Sequence, residues 1–163
     1  MSLRALVIAL SLALGGCKAD LPKLTDANKP LDVRCTGPNA DTLIDVFPTT
    51  LANPSSVLGA PDLNVVTLLQ DNVVTVGFVG LGGLTDAQGN DLRITAMADA
   101  NAQALVRVAG TDMDFVYTGT LTQAASDFDI AVAQKTSVLY VRLLAVGGTV
   151  RIDALTAIHD MCR

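Results

Sequence analysis

Apolar residues in this chain come in short alternating runs and nowhere in a long helical period. Leu92–Ala96, Ala104–Ala109, Phe128–Val132, Val138–Val146 and the start of Val150–Ile158 are such runs, while Leu43–Phe47 is apolar-rich and Val65–Leu69 and Val73–Val79 are rich in β-branched residues. Within them positions trade places: Leu105 and Arg107 against Val106 and Val108, and Val138, Tyr140 and Arg142 against Leu139, Val141 and Leu143. A period of two is the signature of a strand with one buried face. Between the runs lie turn formers, as in Asn53-Pro54, Gly59 and Pro61, or Gly80, Gly82, Gly83, Gly89 and Asn90. Gln70-Asp71-Asn72 predicts a hairpin between its flanking runs, and Gly147-Gly148 predicts a two-residue hairpin. Asp112–Thr118 reads as a further strand, with Met113, Phe115 and Tyr117 on one side. The alanines of Leu92–Val108 mimic a helix, but Asp99 and Asn101 break it with a turn. About eight short strands at this spacing predict an all-β protein, a jelly-roll β-sandwich.

The acidic residues agree. All 16 are Asp, and Glu does not occur. Asp suits turns and loop ends, whereas Glu suits helices. Without Glu, neither an HExxH zinc site nor a Glu general acid can be built. The net charge of −5 argues against nucleic acid as a partner, because phosphate binding needs a basic face.

The first residues are of another kind. Arg4 precedes an apolar stretch, Ala5 to Leu14, and then Gly15, Gly16 and Cys17 follow. A basic start, a short apolar core and small residues at the cut make a secretory signal peptide. The stretch is too short for a comfortable membrane span of about 20 residues. Leu14-Gly15-Gly16-Cys17 resembles the lipobox of bacterial lipoproteins. That resemblance implies cleavage after residue 16 and acyl chains on Cys17, which would anchor the protein in membrane lipid. Lys18 stands where enteric inner-membrane lipoproteins have Asp, which points to the outer membrane. The polar, proline-bearing segment up to Arg34 reads as a tether, so residues 17–34 link the lipid to a domain spanning 35–163.

With Cys17 given to lipid, Cys35 and Cys162 remain, near the two ends of the domain. In an oxidising compartment the natural reading is a disulfide between them, worth about 5 kcal/mol in the chain-entropy model. Two free thiols are the alternative. A metal site has few ligands to draw on, since His159 is the only histidine.

Several segments, taken in order, resemble discoidin-like, galactose-binding-like modules. Val57-Leu58-Gly59-Ala60-Pro61-Asp62 resembles their opening motif, and Gly89-Asn90-Asp91-Leu92-Arg93-Ile94 their central strand entry. Val106 to Phe115 is similar to a family strand and turn, and Leu139–Leu143 with Ile152–Ile158 to the closing strand pair. The resemblance implies a jelly roll with its termini joined, and a structural Ca²⁺ between an early loop and a late strand. Calcium takes six to eight oxygens; Asp62, Asp91 and Asp153 are the expected carboxylate ligands, with Asn64 and Asn90 beside them. It also implies binding loops at one end, carrying Ser55, Ser56, Asp62, Asn64, Asn90 and Asp91. The chain departs from the family pattern in having no Trp, and its Phe and Tyr residues fall mostly in strands.

Catalytic constellations are not evident. Ser55, Ser56, Ser126 and Ser137 lack a GxSxG setting, and Gly80-Leu81-Gly82-Gly83 runs into Leu84 and Thr85 without the lysine of a phosphate loop. The expectation is therefore a non-catalytic binding module on a lipid anchor, with a glycan or surface polymer as ligand. The alternative is a structural envelope lipoprotein that packs against protein partners.

Overall fold

The computed structural model describes residues 39–159, apart from 125 and 136. Cys17, Cys35 and Cys162, with the signal peptide and the tether, lie outside the described residues. Among the described residues no helix is long and apolar enough to cross a membrane.

The described chain is all-β and every strand pairing is antiparallel. In chain order the strands are β1 (Thr42–Phe47), β2 (Val66–Leu68), β3 (Val73–Gly77), β4 (Leu84–Thr85), β5 (Leu92–Ala98), β6 (Gln103–Ala109), β7 (Val116–Leu121), β8 (Asp127–Phe128), β9 (Ser137–Val138), β10 (Tyr140–Gly147) and β11 (Val150–Ala157). Two 3₁₀ turns, Pro54–Val57 and Ile130–Ala133, interrupt them. One sheet has five strands in the order β1-β3-β10-β6-β7, and another has four in the order β2-β11-β5-β8. β4 and β9 form a small third ribbon. Both large sheets contribute to one core: Val74, Val76, Val106, Val141 and Leu143 from the first, Leu68, Ile94, Ile152 and Leu155 from the second, each at most 1% exposed. The alternation read from the sequence thus marks the buried face.

Several of the predicted local details differ. The segments β2 and β3 do not form a hairpin across Gln70-Asp71-Asn72; β2 pairs with β11 and β3 with β1 and β10. Likewise β10 and β11 do not pair across Gly147-Gly148 but lie in different sheets. Both turns carry the chain from one sheet to the other, as does the turn at Asp99–Ala102 between β5 and β6. A turn dipeptide reports that the chain reverses, not whether the reversed strand comes back edge to edge or face to face. The crossings are tied together: Asp71 N donates to Ala145 O, and Asp99 N to Thr149 O. Gly148 takes φ +66, and a Cβ there would lie 2.7 Å from the Ala102 Cβ, so only glycine fits. The third difference is Phe128–Val132. Its strand ends at Phe128, because Asp129 caps the 3₁₀ turn by accepting from Ala131 N at 2.8 Å. The strand expected over Asp112–Thr118 also begins later, at Val116.

Candidate functional site

The site grows from one irregularity in β11. Ile152 pairs with Ala96 and Ala154 with Thr95, which leaves Asp153 as the extra residue of a β-bulge against β5. The bulge shifts the phase of the strand, so that Val150 and Ile152 face the core before it and Leu155 and Ala157 after it. Bulges re-aim side chains, and here the re-aimed group is a carboxylate that is only 4% exposed. It accepts hydrogen bonds from the backbone of Asp62 at 3.1 Å and of Leu63 at 3.2 Å. Both amides belong to the loop before β2, and ionised acceptors on backbone amides are among the stronger hydrogen bonds.

That loop is clasped a second time from within. The Asp62 carboxylate accepts from the Asn64 backbone at 2.9 Å and from the Asn64 side-chain amide at 2.8 Å. These bonds, the side-chain one foremost, hold the Asp62 carboxyl below its ordinary value. Leu63 between them takes φ +71 and is 84% exposed. Opposite stands the Pro54–Val57 turn, where the Ser56 hydroxyl donates to Asn53 O at 2.7 Å and Val57 is buried as the anchor.

Between the two segments lies an open depression of about 440 Å³, lined by Asn53, Ser55, Ser56, Leu58, Asp62, Leu63, Asn64 and Val65. Four of the expected binding residues, Ser55, Ser56, Asp62 and Asn64, therefore share one cleft. Asn90 and Asp91 do not line it. The cleft offers hydroxyl, amide and carboxylate groups and no aromatic ring.

The expected calcium ligands are divided between two places. Asp153 and Asp62 meet through the backbone bond above. Asp91 precedes the Leu92–Ala157 pair at the other end of β5, and the carboxylates that converge on it are Asp86 and Asp129, their oxygens all within 4.8 Å of one another. Asp91 is 1% exposed, and its two oxygens accept from Ala87 N at 2.9 Å and Ile130 N at 3.1 Å. It staples the loop before β5 to the second 3₁₀ turn. The sequence marked Asp91 but not its two neighbours, because Asp86 and Asp129 lie in segments joined only by the fold.

A second polar surface was only half visible in the sequence. On the outer face of the five-stranded sheet, one row of cross-strand partners runs Asp45, Thr75, Arg142, Arg107, Tyr117. The next row on the same face runs Phe47, Val73, Leu144, Leu105, Thr120. Arg142 is well served: its Nε donates to the Thr75 hydroxyl at 3.0 Å, its Nη2 lies 4.0 Å from Asp45, and its guanidinium sits 3.9 Å from the centre of the Phe115 ring. Arg107 is half-buried, its Nε is shut off from solvent, and it has no hydrogen bond or ion pair among the described residues. The period-two pattern placed both arginines outward, but only the sheet order makes them neighbours.

Comparison with known proteins gives no match: no family model, no curated protein and no solved structure aligns with this chain.

Proposed function

We propose that this protein is an exported, lipid-anchored module that binds without catalysis, and that its ligand is a glycan or similar surface polymer held at the Asn53–Val65 cleft. The single observation that supports this most is the doubly clasped loop. A buried charge on a bulge, spent on two amides of an exposed loop, is an expensive way to build a connection. It is a reasonable way to fix the shape of a binding surface, since residues that bind sit on loops held by a rigid scaffold. The polar lining suits hydroxyl-rich ligands, and its lack of rings suits modest affinity.

The finer features of this reading are a jelly-roll topology, a Cys35–Cys162 disulfide, acyl chains on Cys17 and an outer-membrane address. They rest on the lipobox and on the resemblance to discoidin-like modules. A structural envelope lipoprotein that packs against protein partners is the competing reading; the exposed Leu63, in a cleft without rings, favours it.

The test is a glycan array probed with the purified protein, once with Ca²⁺ and once with EDTA, beside the variants Asn64→Ala and Ser55→Ala. Selective binding that both variants weaken by about tenfold, one strong hydrogen bond's worth, supports the cleft. A signal lost in EDTA would bring calcium into the reading. A blank array under both conditions hands the protein to the structural alternative.

A further inference from the structure

We propose that the outer face of the five-stranded sheet is a second binding surface, centred on Arg107, and that its ligand is a carboxylate-bearing polysaccharide, a uronic-acid polymer. This surface is separate from the loop cleft and does not depend on it.

The argument starts from Arg107. A guanidinium carries five donors in a rigid fork and is always charged. Burying its Nε without an acceptor is unfavourable, and nearly all buried polar groups in folded proteins avoid that state. Here it occurs mid-sheet, where β6 is flanked by β10 and β7, with Arg142 on one side and Tyr117 on the other. Neighbouring Arg142 does not relieve it; a second cation adds to the demand for an anion. The only carboxylate of the row, Asp45, stands two strands beyond Arg142 and already serves it at 4.0 Å. A bound carboxylate would meet the two outer Nη groups of Arg107, which no side chain among the described residues takes, in a two-pronged contact.

The surroundings select the carrier of that carboxylate. Tyr117 is 50% exposed at one end of the face and Phe47 61% exposed at the other. The five-strand row spans roughly 19 Å at the usual strand spacing. Exposed rings flanking a cation suit sugar rings, which present apolar faces to aromatics and acidic groups at their rims. An acidic peptide would instead add to a sheet edge through its backbone, whereas the unsatisfied group lies on the face, where the backbone donors are already paired. An anionic membrane would need a cluster of basic residues, whereas the cations of this face are the two neighbouring arginines, Arg107 and Arg142.

The purified full chain is titrated with polygalacturonate oligomers by calorimetry, with dextran sulfate, which bears no carboxylate, and phosphatidylglycerol vesicles as comparison anions. Saturable, salt-weakened binding of the uronate is expected, with weaker binding to the other two. Arg107→Met should lower the affinity at least tenfold while raising the melting temperature, because it removes an unpaired buried donor. A merely structural Arg107 would do the reverse on melting. Tyr117→Ala, on the sheet's edge strand, should also weaken binding, whereas Asn64→Ala in the loop cleft should leave it unchanged. No uronate binding by the wild type, equal affinity in Arg107→Met, or preference for dextran sulfate or vesicles would each overturn the proposal.

Discussion

Each large sheet turns one face outward, and each of those faces carries two arginines. On the four-stranded sheet both are paired. Arg93 on β5 meets Asp127 on β8 through two hydrogen bonds of 2.9 and 2.8 Å, and Arg151 on β11 meets Asp99 at 3.1 Å. On the five-stranded sheet Arg142 has three partial partners and Arg107 has none. The same residue type, in the same secondary structure, is closed off on one face and left open on the other. A paired guanidinium has already spent its fork on the protein; an unpaired one keeps it for something else. Arg93 is the more exposed, with 57% of its side chain in solvent, so exposure alone does not decide which arginine is free.

The largest effect should come from erasing the difference. Tyr117 stands directly across from Arg107, so Tyr117→Glu would give it the carboxylate it lacks. Relief of a buried unpaired donor, together with a cross-strand ion pair, is expected to stabilise the domain by about 1 kcal/mol. Urea unfolding checks this, and a loss of stability would mean that Arg107 is content as it is. A smaller effect should come from the other side. Asp127→Asn removes the partner of Arg93 on a largely exposed surface, where ion pairs contribute little and salt screens them. Its modest destabilisation in dilute buffer should vanish at 1 M salt, in paired melting curves.

The smallest effect is one of pH. The hydrogen bond from Arg93, followed by its charge, holds the Asp127 carboxyl below its ordinary value. A depressed carboxyl contributes stability that is present above its unfolded-state value of about 3.9 and is lost as pH falls through the lower folded-state value. Carbon NMR of the carboxyl groups should therefore find Asp127 still ionised where a free aspartate has begun to protonate.

How far the sequence could be read follows the same division between local and distant. Alternation in Ala104–Val108 and Tyr140–Ala145 told which side chains face the core, and the structure agrees there. It fails at Val138, expected on the outer side with Tyr140 and Arg142 but buried in the core, because the run breaks at Leu139 between β9 and β10. Asp62 and Asn64 are two positions apart, so their clasp was within local reach, and both were expected in a binding loop. What alternation could not carry was sheet order. Gly147-Gly148 looks the same whether the next strand pairs with its predecessor or crosses to the opposite layer. The trio of Asp86, Asp91 and Asp129 and the row that joins Arg107 to Arg142 exist only once non-adjacent strands are set side by side. The bulge at Asp153 is likewise silent in sequence, since an aspartate inside an apolar run reads as a solvated position until its neighbours' phase is seen to slip.

The order of the strands has a consequence in time. β10 lies at the centre of the five-stranded sheet and β11 inside the four-stranded one, yet these are the last two strands of the described chain. Until residues 140–157 exist, β3 has no link to β6, and β2 has none to β5. A chain made or delivered from its N-terminus therefore holds only the flanks of two sheets for most of its passage. It has no stable half-domain in which to stall, and its final strands act as a keystone that locks both layers in one step.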